Sequence, residues 1–188
     1  MIPRMITQSL NPTQMAHIEQ LIPKIFRWEG GWSDDPSDKG GQTNMGITLA
    51  TWMSCGYDKD HDGDIDSQDL RMITRGDVVN LLRENYWNRW KADHILNQSV
   101  ANLLVDWVWN SGKHGIIIPQ RILLVTPDGI VGEKTLSAIN SSDQSHLFHA
   151  LKEARKSFFL DITTKDPSQK RFLGGWLNRI NDFQFSVS

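Results

Sequence analysis

With a single cysteine, Cys55, the chain can form no intrachain disulfide, so its stability has to come from packing and a reducing site of synthesis is allowed. It has no apolar run long enough to cross a bilayer. The opening residues, MIPRMITQSLNPTQ, contain neither the apolar stretch nor the small-residue cleavage site of a secretory signal. A soluble chain made in the cytoplasm, with no membrane insertion, is the expectation. An excess of one charge is missing too. Lys and Arg number 20 against 22 Asp and Glu, and a net charge of -2 gives no general pull toward nucleic acid or anionic lipid. There is no internal repeat and no low-complexity linker.

What the chain does have is helical periodicity and tryptophan. Hydrophobic residues at 39% and charged residues at 22% are those of an ordinary globular protein, and 188 residues suffice for one domain or two lobes sharing a cleft. Asn11-Pro12 reads as an N-cap with Pro at the first helical position. Met15, Ile18, Ile22, Ile25 and Phe26 then repeat at helical spacing, predicting a helix to about Trp28, kinked at Pro23 and stopped by Gly30-Gly31. Residues 31–47 are rich in Gly, Asp and Pro, the chemistry of turns and a short hairpin. Thr48 is placed to cap a short helix ending at Gly56, and Thr74 a longer one carrying Val78, Val79, Leu82, Tyr86 and Trp90.

Further helices are predicted from Ser99 to Ser111, closed by Gly112, from Ile116 to Val125 with Pro119 near its start, and from Glu133 to Ile139. Asp143 caps a long one, and a last helix holds Phe172, Trp176, Leu177 and Ile180. The fold class is mainly α, with one small β element after the first helix. Two lobes are expected, residues 12–96 and a helical lobe 97–184 packed on the first, in a monomer.

Glu29 closes the first helix and is followed by Gly-Gly and a turn-rich segment. A carboxylic acid that protonates a glycosidic oxygen needs a raised pKa, which burial beside Trp28 and Trp32 can supply. Glycines at 30, 31, 40 and 41 let backbone approach a bulky ligand. A glycosidase also needs a second group, a base for water or a nucleophile. Asp38, nine residues after Glu29, and Thr43, five later, are candidates, with Asp34 and Asp35 in competition. Most of the eight tryptophans are assigned to the core; Trp32 is the candidate platform for a sugar ring.

The run FRWEGGWSDDPSDKGGQTNMGIT resembles the opening signature of the glycosyl hydrolase family 108 muramidases, lysozyme-like phage endolysins and relatives, some described as secretion activators. The fixed points are Glu29-Gly30-Gly31, Trp32, Asp35-Pro36, Asp38, Gly40-Gly41, Thr43 and Gly46-Ile47-Thr48. The likeness continues at Tyr86-Trp87, at Asp106 with Asn110-Ser111-Gly112, and at Asp128-Gly129-Ile130-Val131-Gly132 with Thr135, which is similar to an element of peptidoglycan-binding segments. It closes at Gly175-Trp176-Leu177-Asn178-Arg179, and so covers about residues 18 to 182.

The resemblance implies a lysozyme-like α+β fold, peptidoglycan glycan strands as substrate, and Glu29 as catalytic acid. Similarity to the glutamate, aspartate and threonine spacing of phage-type lysozymes implies that Asp38 and Thr43 handle the attacking water, with inversion at the anomeric carbon; the threonine is one residue short of that spacing. Asn110 is expected to hydrogen-bond an N-acetyl group across the cleft, and Asp106, four residues earlier on the same helix face, to brace neighbouring helices. The rival is a non-hydrolytic cell-wall-binding or secretion-accessory protein on the same fold. Either product, lacking a signal, would reach the wall by lysis, a holin-type pore or dedicated export.

One segment stands outside that signature. In DKDHDGDIDSQD, Asp58, Asp60, Asp62, Asp64, Asp66 and Asp69 fall at positions 1, 3, 5, 7, 9 and 12 of an EF-hand-type loop, with Gly63 at the sharp turn and Ile65 at the apolar position. The last ligand is Asp rather than Glu, which resembles dockerin loops. Carboxylates at alternating spacing repel one another without a cation. Ca2+ in a structural role is the expectation, with no cofactor needed for chemistry. A calcium-dependent interaction module would explain this loop and nothing else in the chain.

Overall fold

The computed structural model describes residues 15–34 and 41–187. A 3-10 turn at Ile18–Gln20 leads into α1 (Ile22–Trp28), and a two-stranded antiparallel hairpin follows, β1 (Thr43–Asn44) and β2 (Ile47–Thr48). Then come α2 (Leu49–Cys55), α3 (Ser67–Met72), α4 (Arg75–Leu82), α5 (Gln98–Ser111), α6 (His114–Ile122), α7 (Glu133–Ser141), α8 (Gln144–Lys165) and α9 (Lys170–Asp182). The expected class, mainly helical with one small hairpin after the first helix, is the one observed.

The start of the chain departs from expectation. No continuous helix runs up to Trp28: His17 is extended, the 3-10 turn intervenes, and Pro23 sits in the first turn of α1. A missing N–H costs nothing there, so Pro23 starts a helix instead of kinking one. Asn11-Pro12 lies outside the described residues. The helix after Thr74 is capped as expected, by a reciprocal pair of bonds between Thr74 and Asp77, but is regular only to Leu82. A π turn, Arg83–Trp87, and a 3-10 turn, Asn88–Trp90, continue it to Lys91, which ends it in the left-handed region (φ 48°). The wider turn lets Trp87 and Trp90 both enter the core, leaving Tyr86 half-buried.

Helix α6 begins two residues before Ile116, which places Pro119 in its interior. The early start is possible because Gly115 lies directly on the backbone of Trp107 and Val108, where any Cβ would overlap main-chain atoms. Helix α7 runs two residues past Ile139. The caps at Thr48, which accepts from the Thr51 N–H, and at Asp143, which accepts from the His146 N–H, fall where the sequence places them.

Two apolar clusters organise the chain. The larger surrounds α5, whose residues from Ser99 to Val108 are all buried, and joins Leu21, Ile25, Trp87 and Trp90 to Ile116, Ile139, Phe148 and Leu151. It therefore draws on both sides of residue 97. The smaller holds Ile47, Trp52, Leu70, Ile73, Val78 and Leu81 beneath the hairpin. Tyr86 and Trp109 pack against both. No helix among the described residues is long and apolar enough to cross a membrane.

Candidate active site

Glu29 is where α1 ends. Its backbone turns to φ -90°, ψ 130° while its N–H still bonds the Ile25 carbonyl, so the side chain leaves the helix axis at a fixed point. Three distant elements meet it. From α5, Trp109 Nε1 donates to Glu29 Oε1 at 2.8 Å. From α9, Arg179 NH1 donates to the same oxygen at 2.7 Å. From the hairpin, Gly46 lies against the carboxyl, and a Cβ at that position would overlap it.

The hairpin geometry explains that glycine. Thr43 pairs with Thr48 and Asn44 with Ile47, leaving a two-residue loop of Met45 (φ 46°) and Gly46 (φ 83°). Two consecutive positive φ angles are those of a type I′ turn, whose twist matches the strands it joins. Gly46 is thus required twice, by its backbone and by the carboxylate beside it.

Arg179 is itself held. Its Nε and NH2 bond Asp106 Oδ1 at 3.0 and 2.7 Å, and Arg155 NH2 from α8 reaches Asp106 Oδ2 at 2.7 Å. The side chains of Arg155 and Asp106 are buried, and those of Arg179 and Glu29 are 7% and 11% exposed, so solvent screens this network little. Two carboxylates and two guanidiniums balance. Burial pushes the Asp106 carboxyl up, but Arg179 and Arg155 outweigh it and hold it below the usual carboxylate range. Burial opposes the charge on Arg179, and Asp106 and Glu29 more than offset that. Asp106 thus braces α8 and α9 against α5.

Beside this network a cavity of about 380 Å³ is lined by Glu29, Asn110, Trp28, Trp176 and Arg179 among others. Trp28 is fixed by its indole N–H on Asp182 at 3.0 Å, and Trp176 by stacking on Phe159 at 4.7 Å. Glu29 and Asn110 are therefore brought together. Residues 22–112 match the family described as glycosyl hydrolase 108, and residues 114–181 match a predicted peptidoglycan domain. The first of these segments is thus similar to glycosyl hydrolase 108 domains. A solved structure of Brucella abortus SagA is similar over 88% of this chain and 94% of its own, with 27% identity and a TM-score of 0.70. No curated protein matches. The chain thus carries a segment similar to a glycoside hydrolase family beside one similar to a peptidoglycan domain.

The other candidate residues of the hydrolase domain are placed less directly. Asp38 lies outside the described residues. The described residues on either side of it are joined by mutual backbone bonds between Ser33 and Thr43, at 2.8 and 2.9 Å, and the Thr43 hydroxyl donates to the Gly41 carbonyl at 3.3 Å. Trp32 packs on the smaller cluster with the Arg71 guanidinium 3.7 Å over its ring. Sequence reading missed the roles of Trp109 and Arg179. Arg179 was legible as one point of the closing motif, without a partner. A buried-type acid, Asp106, on an apolar helix is the signal that demands such a cation.

In the acidic loop, Gly63 adopts φ 107° at the turn position. Carboxylate oxygens of Asp58, Asp60 and Asp69 lie within 4.8 Å of one another, as do those of Asp64, Asp66 and Asp69. Asp62 belongs to neither trio and accepts from the Asp64 N–H at 3.2 Å. Asp69 is buried and accepts from the N–H groups of Lys59, Asp60 and Asp66, and Asp66 also caps α3. The Asp64 carboxyl is pushed up, first by the charge of Asp62.

Gly46→Ala places a methyl on the Glu29 carboxyl and strains a left-handed position. It is expected to lower turnover at least tenfold while costing only about 1 kcal/mol of stability, the order of one strained residue. Denaturant unfolding and glycan turnover on the same preparation check this; unchanged turnover would show that the turn does not position Glu29.

Proposed function

We propose that the chain is an N-acetylmuramidase, cleaving the β-1,4 bond between N-acetylmuramic acid and N-acetylglucosamine with Glu29 as general acid. The observation that carries this reading is the unequal state of the two Glu29 oxygens. Oε1 accepts from both Trp109 and Arg179, whereas Oε2 has no hydrogen bond among the described residues. Oε2, which packs against Gly46 of the hairpin, is thus the oxygen left to deliver a proton to a glycosidic oxygen. Asn110 on the cavity wall suits an N-acetyl group, and Trp28 and Trp176 offer faces for sugar rings. Asp38, between the paired residues Ser33 and Thr43 in the sequence, takes the role of positioning or deprotonating the water, with Thr43 assisting.

Glu29→Gln keeps shape and loses the transferable proton, and general acid catalysis is typically worth ~100- to 10,000-fold. The variant is expected to fold, bind glycan and lose nearly all lysis of purified peptidoglycan; more than a tenth of wild-type activity sinks the assignment. In the same assay, proton NMR of the first reducing ends from wild type is expected to show the α anomer, as inversion requires. A wild type that binds without turnover would favour the wall-binding rival.

The acidic loop is proposed to hold Ca2+ in a structural role. Two overlapping carboxylate trios support it, as do Gly63 at the sharp turn and Asp69, which stands at position 12 within both trios. An ion bound only by the folded state adds about 2.7 kcal/mol at a hundredfold excess over Kd. Calcium added to chelator-treated protein is expected to raise the melting temperature by several degrees, magnesium far less, and Asp58→Ala with Asp62→Ala to abolish the shift. No calorimetric binding at millimolar calcium would leave only an acidic turn.

A further inference from the structure

A second depression, of about 590 Å³, is lined by α2, the turns after α4 and the C-terminal end of α5. Its walls are Thr51 and Ser54 from α2, Asn85, Tyr86 and Arg89 from the turns after α4, and the ring of Trp109. Trp109 thus links Glu29 to this depression: its indole N–H bonds the carboxylate while the residue lines the depression beside Tyr86, 4.8 Å away ring to ring. The depression is therefore separated from Glu29 by a single side chain, that of Trp109.

The two cavities hold their cations differently. In the Asn110 cavity, the Arg179 guanidinium is committed to Asp106 and Glu29, and Arg171 lies over the Phe172 ring at 4.4 Å. In the second depression Arg89 is exposed and makes no ion pair among the described residues. Nothing else in its lining carries a formal charge at neutral pH. Burial, then the charge of Glu84, pushes the Cys55 thiol up, so it stays protonated, and its Sγ donates to the Thr51 carbonyl at 3.1 Å. The carboxylates of Glu84 and Asp77 line the adjoining depression against Trp52 and Tyr57, which shares Cys55 with this one. Arg89 therefore makes this side of the cleft positive among hydroxyl, amide and aromatic groups. That lining fits a sugar carrying a carboxylate.

We propose that this depression is the subsite for the muramoyl residue, and that Arg89 determines specificity by pairing with the carboxylate of its 3-O substituent. The proposal rests on the reading of Glu29 as the acid of glycan cleavage. N-acetylglucosamine has no such group, so Arg89 distinguishes the two alternating sugars and sets the register of the strand over Glu29. A guanidinium matches a carboxylate with two parallel donors, which an ammonium cannot reproduce. The carboxylate is the lactyl one in peptide-free glycan and a stem-peptide one where the lactyl group is amidated.

The test compares peptide-free muramoyl–glucosaminyl oligosaccharides, the same oligosaccharides bearing stem peptides, and chitin oligosaccharides of equal length. A hydrogen bond to a charged group is worth roughly 10- to 100-fold. Arg89→Gln is expected to lower the ratio of kcat/KM for muramoyl over chitin substrates by about that factor, mainly through KM, with Arg89→Lys in between. Methyl esterification of the lactyl carboxylate is expected to cost wild type the same factor and Arg89→Gln almost nothing. Loss confined to peptide-bearing substrate assigns the paired carboxylate to the stem. An unchanged ratio, or equal loss on chitin, overturns the proposal. Calorimetric binding of the same sugars to Glu29→Gln, with and without Arg89→Gln, decides the matter separately from turnover, so failure of the hydrolytic reading is not mistaken for failure of the subsite.

Discussion

The guanidinium of Arg179 joins two carboxylates that lie 77 residues apart in the chain, Asp106 on the central helix and Glu29 at the end of the first. Burying charges is expensive, and breaking a buried pair by removing one partner typically costs ~3–5 kcal/mol because the other is left uncompensated. Here two acids face two guanidiniums, and four helices contribute one each: α1 ends at Glu29, α5 carries Asp106, α8 Arg155 and α9 Arg179. The network fixes where α9 lies, and with it Trp176 and one wall of the cavity.

That arrangement has a consequence for how the two matched families relate. The hydrolase match ends at residue 112 and the peptidoglycan match begins at residue 114, yet Arg179 and Trp176 of the second complete the site of the first. The second segment is therefore part of the cleft as well as a candidate wall-binding element. From the other side, the type I′ turn sets Gly46 against the same carboxyl, so the hairpin and the last helix approach one side chain from opposite ends of the sequence.

Local signals made much of this legible. Caps at Thr48, Thr74 and Asp143 mark helix starts because a side-chain oxygen meeting a free N–H is a short-range event. Gly112 marks the end of α5 for a similar reason. The π turn at Arg83–Trp87 was not legible, since the gain from burying both Trp87 and Trp90 is tertiary. Nor was the role of Pro23, which depends on whether the helix had already begun. In the site, Glu29 and Asn110 stood out by motif, and they do share a cavity. Trp109 and Arg179 were visible as letters but not as partners, because hydrogen bonds over 80 and 150 residues leave no periodic trace.

The central claim is that Arg179 holds Glu29 in its working position. Turnover of purified peptidoglycan by Arg179→Gln and Arg179→Lys, with melting temperatures in parallel, tests it most directly. The account predicts a fall in kcat of about 100-fold for the glutamine variant with KM changed little, and partial recovery with lysine, which keeps one charged donor to Glu29. Wild-type kcat in a folded Arg179→Gln protein would contradict it.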